Sequence, residues 1–143
     1  KENGVAVYFD CSQYHHNRWN DFLFRIIEQI VDTYREESKE SGQVRIQEKD
    51  VPILNQERYL EEKAMKSFEK DIKQLYYALG KSRILLIFDE IESIGYTTSP
   101  SEHWKKGRDA LYFWQALRAI IQTNNDYFSF LIILIRNIRI FLS

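Results

Sequence analysis

The amino-acid sequence predicts an α/β protein built on a parallel sheet of about three strands, flanked by helices in three layers. Three observations carry that expectation. Ile84-Leu85-Leu86-Ile87-Phe88 is an unbroken apolar run of strand length that ends in Asp89-Glu90, the pattern of a strand buried on both faces. Val5-Ala6-Val7-Tyr8-Phe9-Asp10 has the same form and is also closed by an acid. Between and after these runs, apolar residues recur at three- and four-residue steps, the period of helices that bury one face. Strands alternating with helical stretches imply parallel pairing through helical crossovers.

A chain of 143 residues is one ordinary domain, large enough for a real core. Its 44% apolar and 29% charged content is that of a soluble globular protein. A net charge of −1 gives no overall basic footprint, so nothing demands nucleic acid. The single cysteine, Cys11, excludes an intramolecular disulfide framework and fits a reducing compartment. Lys1-Glu2-Asn3-Gly4-Val5 lacks a signal-peptide pattern. The apolar run from Phe130 to Ile135 is too short to span a bilayer, and Arg136 and Arg139 follow it. The expected location is the cytoplasm, with no membrane partner.

Following Asp10, residues 11–17 form a polar loop. Its Cys11, His15 and His16 fall short of the four ligands of a structural zinc site, the only other histidine being the distant His103. From Asn17, a possible N-cap, Trp19, Phe22, Leu23, Ile26, Ile27, Ile30, Val31 and Tyr34 make an apolar helical stripe that exits at Arg35-Glu36-Glu37. Ser38 to Gln56, with Gly42 and Pro52, reads as an exposed connection of unusual length. Glu57 to Leu79 predicts a second helix with Leu60, Ala64, Phe68, Ile72, Leu75, Tyr76 and Leu79 inward, closed by a left-handed Gly80. Tyr96 to Gly107 is a polar loop with a turn at Ser99-Pro100. Arg108 to Thr123 is a third helix burying Phe113, Trp114, Leu117, Ile120 and Ile121; after the turn at 124–126, Phe128 to Ile135 is a third apolar strand.

Gly80-Lys81-Ser82 imitates the end of a phosphate-binding loop, G-x-x-x-x-G-K-[ST]. Leu75 occupies the first glycine position, and the order is helix, loop, strand, so the backbone amides do not form an anion nest at the carboxyl end of the sheet. Asp89-Glu90 is more informative. Ligand chemistry in parallel sheets gathers at the carboxyl ends of strands. An acid pair there has the layout of the Walker B element, whose Asp holds Mg²⁺ through water while the next Glu polarises the attacking water.

The order strand, two helices, acid-tipped strand, helix, strand resembles the middle of a P-loop ATPase of the AAA+/STAND group related to origin-recognition ATPases. The residues that carry the resemblance are Val7-Tyr8-Phe9-Asp10, Leu85 to Glu92, His103-Trp104, and Phe113 to Arg118. It implies ATP and Mg²⁺ as cofactors of a completed protein, Asp89 as the water-mediated Mg²⁺ ligand, Glu90 as catalytic base, and Asn137 as the polar sensor. It also implies that residues 1–143 are a partial domain, from the second to the fourth strand, without the Walker A loop or lid and inactive alone. Strand 128–135 would then be an unpaired edge suited to self-association or a protein partner. DNA enters only by family analogy, because Lys105, Lys106 and Arg108 form a short basic run of the kind usually found in solvated loops. The alternative is a non-enzymatic α/β interaction module.

Overall fold

The computed structural model describes residues 5–44, 46–123 and 128–130. Its elements are β1 (Val5–Asp10), α1 (Trp19–Ser41), α2 (Glu61–Ala78), β2 (Ile84–Asp89), α3 (Glu102–Lys105), α4 (Asp109–Thr123) and β3 (Phe128–Phe130). Single 3₁₀ turns cover Cys11–Gln13, Glu48–Asp50, Gln56–Tyr59 and Ile91–Ile94. The sheet is parallel throughout, in the order β1-β2-β3, as the apolar runs require. Val5 pairs with Ile84 and Asp10 with Asp89, so the two acid-tipped strands end level with each other. Residues 131–135 of the expected third strand, with the edge proposed for self-association, lie outside the described residues.

The sheet departs from expectation in its layering. Val7, Phe9, Ile84, Leu86 and Phe88 are buried, whereas Ala6 is exposed, Tyr8 is 54% exposed, and Leu85 and Ile87 are only half-buried. The described residues therefore make two layers, not three, with one sheet face uncovered. Topology supplies the reason. The chain steps from β1 to β2 to β3 in one direction, and right-handed crossovers taken in one direction put every connecting helix on the same face.

An aromatic cluster holds the covered face. The Phe22 ring on α1 stacks on Phe113 of α4, with centroids 4.8 Å apart, and meets Phe9 and Phe88 edge-on at 6.1 and 6.3 Å. Trp104 of α3 closes the group, fully buried, with its indole N–H donating to the Asn17 carbonyl at 2.8 Å. Phe9 and Phe88 each immediately precede a rim acid, so this cluster fixes where both strands deliver their carboxylates.

Buried carboxylates tie the helices together. Asp109, 2% exposed, accepts from Arg18 Nε at 2.8 Å, Arg18 Nη2 at 3.0 Å and the Trp19 amide at 3.1 Å, and His103 Nδ1 lies 2.9 Å away. This corrects the expected cap of α1. Arg18 holds the N-cap position, Asn17 instead donates to Asp21, and the orphan Trp19 amide is satisfied from α4. Asp71 on α2 likewise accepts two bonds from Arg58 and one from the Tyr59 hydroxyl at 2.7 Å.

Other boundaries shift for local reasons. α1 continues to Ser41 and stops at Gly42, φ 78. The 3₁₀ turn at Gln56–Tyr59 offsets the phase of the second helix, leaving Leu60 48% exposed rather than inward. The connection after α1 is anchored by buried Ile46 and Pro52. Gly80 adopts the expected left-handed conformation, φ 70, whereas Ile121 faces outward. The short α3 falls inside the expected polar loop.

Replacing Phe22 by Ala removes the ring that couples α1, α4 and both strand ends. The expected loss is roughly 3–5 kcal/mol in chemical denaturation, the cost of a large-to-small core change. A loss below about 1 kcal/mol contradicts the clamp.

Candidate functional site

The carboxyl rim of β1 and β2 gathers the acids that the sequence singles out. Asp10 and Asp89 are register partners on neighbouring parallel strands, and Glu90 follows at the point where β2 ends. The rim is ordered by hydrogen bonds. Asp10 Oδ1 accepts from the Ser12 amide at 3.1 Å and the Ser12 hydroxyl at 2.7 Å. Asp89 Oδ1 accepts from the Glu90 amide at 2.8 Å, and Asp89 Oδ2 accepts from the Tyr8 hydroxyl of β1. Tyr8 reaches Asp89 because both point from the uncovered face of the sheet. Its phenol is pushed up to about 12, chiefly by that hydrogen bond, then by desolvation and after it by the charges of Asp89, Asp10 and Glu90.

Glu90 is the strained member. Its backbone is left-handed, φ 56 and ψ 45, a conformation that costs a non-glycine residue roughly 1–2 kcal/mol. The turn at Ile91–Ile94 starts from it. Its carboxyl is raised above the ordinary value, first by partial desolvation and then by Glu92, Asp89 and Asp10. Four acids thus crowd one end of the sheet, and the field they create favours a cation.

Gly80-Lys81-Ser82 lies at the other end of β2, between α2 and the start of the strand, with Gly80 and Lys81 both at positive φ. It faces away from the acid rim. Asn137 is outside the described residues.

The histidines come closer together than their spacing implies. His15 Nδ1 lies 2.6 Å from Ser101 Oγ, the His15 and His16 rings are 4.0 Å apart, and His15 is lowered by burial, then by His16 and His103. Cys11 is buried, and its thiol is raised far above the ordinary range by burial and the rim acids, so it is a poor thiolate. Among the described residues, no three His, Cys, Asp or Glu side chains are grouped to cage a metal ion. Magnesium does not need such a cage, since one or two carboxylates with waters and phosphates suffice.

Sequence reasoning missed Tyr8 and Ser12. Ser12, two residues beyond an acid, is a readable local turn signal. Tyr8 has no signal in one strand alone, because its partner belongs to the neighbouring strand.

No known protein family, curated protein or solved structure matches the chain.

Replacing Glu90 by Gly relieves the left-handed strain and is expected to stabilise the fold by about 1 kcal/mol. Glu90→Gln retains the strain but removes the charge. A carboxyl raised in the folded state contributes stability below its unfolded value, lost as pH rises through the folded one. Thermal scans from pH 4 to pH 7 should therefore show Glu90→Gln gaining on the parent as pH rises. A parent that gains on the variant instead contradicts the crowding.

Proposed function

We propose that the acid rim is the magnesium-holding half of a nucleoside-triphosphate site, the Walker B-like element of an AAA+/STAND-type ATPase core. On this reading the phosphate grip comes from polypeptide other than the described residues. The carrying observation is the level ending of two parallel strands in Asp10 and Asp89, with Glu90 next in line.

The residues present fit a hydrated Mg²⁺. Asp89 has one donor on each carboxylate oxygen, which fixes its orientation and leaves a lone pair on each for metal-bound water. When bound, Mg²⁺ would neutralise charge on the transferring phosphate. Glu90 has the role of orienting and deprotonating the attacking water. Its raised carboxyl moves toward the range in which a general base works best. The left-handed turn points its side chain away from the strand's own alternation, so Asp89 and Glu90 serve different positions. Asn137 keeps its proposed sensor role by resemblance only.

The uncovered sheet face, with exposed Tyr8 and half-buried Leu85 and Ile87, favours a second reading, a non-enzymatic α/β interaction module. Calorimetric titration with Mg²⁺-ATP separates the two. In the protein encoded by the whole reading frame, the ATPase reading predicts saturable binding. It also predicts that Glu90→Gln lowers turnover by at least about 100-fold while leaving ATP affinity within about twofold. Absence of ATP binding, or a variant that turns over like the parent, counts against the ATPase and for the interaction module.

A further inference from the structure

A cleft of about 670 Å³ lies along α4 beside the loop that begins at Gly95. Its walls include Tyr96, Lys106, Arg108, Leu111, Trp114 and Arg118, and among the described residues no carboxylate lines it. Tyr96 is 65% exposed, with no aromatic neighbour of its own among the described residues. Trp114 is held edge-on against Phe88 and Phe113 at 5.9 and 5.0 Å, which makes it a rigid wall. Arg118 pairs with no acid among the described residues, Arg108 packs over Tyr112, and Lys106 reaches Glu102 only at 3.6 Å in an exposed pair. Arg108 and Arg118 bracket the cleft with roughly 15 Å of helix rise between them.

We infer that this cleft binds single-stranded nucleic acid, with Arg108, Arg118 and Lys106 on phosphates and Tyr96 and Trp114 against bases. Cations interleaved with aromatic faces are the physical requirement for gripping an unpaired strand without reading its sequence. The near-zero net charge conceals a segregated one. Lys106, Arg108 and Arg118 line the α4 cleft with no carboxylate among the described residues, which makes that surface locally positive, whereas Asp32, Glu36 and Glu40 line a separate groove on α1. None of the rim acids Asp10, Asp89, Glu90 and Glu92 lines the cleft, and the grip proposed here needs neither magnesium nor ATP.

Fluorescence anisotropy with a labelled oligo-dT of about 20 nucleotides, in EDTA and about 50 mM salt, tests it. The expected result is binding whose logarithm falls linearly with log salt. Arg118→Ala should flatten that slope by about 0.7, and Tyr96→Ala should weaken binding at least about fivefold. Both side chains are exposed, so unchanged thermal unfolding of each variant confirms an intact fold. No strand binding, or parent-like binding by both variants, overturns the inference. So does equal displacement by a polyglutamate peptide, which marks an acidic protein partner, or tighter binding of free ATP than of the strand.

Discussion

Everything at the rim depends on the parallel, level pairing of β1 with β2. Had the pairing slipped by one residue, Asp10 and Asp89 would lie on different faces, because side chains alternate along a strand. The register is held from below by side chains that carry no charge. Phe9 and Phe88 stack on each other at 5.3 Å and share Phe22 as a neighbour, so the residue before each acid is locked in the core. Position is thus set by apolar packing, and the carboxylates inherit it. Tyr8 and the Glu90 amide then select one orientation for Asp89.

The one-sided sheet bears on the candidate site in a second way. A parallel sheet is ordinarily covered on both faces. Here the helices that connect the strands follow a single direction of travel, and the face bearing Tyr8, Leu85 and Ile87 stays open among the described residues. The hydroxyl that orients Asp89 comes from that open face. Any element that docks there would touch Tyr8 and so communicate with the acid rim, which makes the uncovered face and the candidate site parts of one arrangement.

The strands were legible because an unbroken apolar run of strand length, closed by an acid, suits little besides a buried parallel strand. The long stripe of α1 was legible from its period. What the sequence did not reveal depends on tertiary contacts. The cap of α1 comes from Asp109, far along the chain, so the local signal at Asn17 pointed to the wrong residue. Periodicity predicts Leu60 inward because it cannot register a preceding 3₁₀ turn that offsets the phase. The run from Ile84 to Phe88 implied burial on both faces, yet an apolar strand reads the same whether or not its second cover is present. At the site, Asp89 and Glu90 were legible as a motif, and the Gly80-Lys81-Ser82 imitation was separable by its order relative to the strand. The left-handed Glu90 and the Tyr8 contact exist only once two strands are paired.

The central claim is that Asp89 holds a hydrated divalent cation at the carboxyl rim, and paramagnetic relaxation by Mn²⁺ tests it most directly. Titrated into the ¹⁵N-labelled chain, Mn²⁺ should selectively broaden the amides of Asp10 to Ser12 and Asp89 to Glu92, and Asp89→Asn should abolish the effect. Broadening that spares the rim, or that instead centres on the acidic groove of Asp32, Glu36 and Glu40, would contradict it.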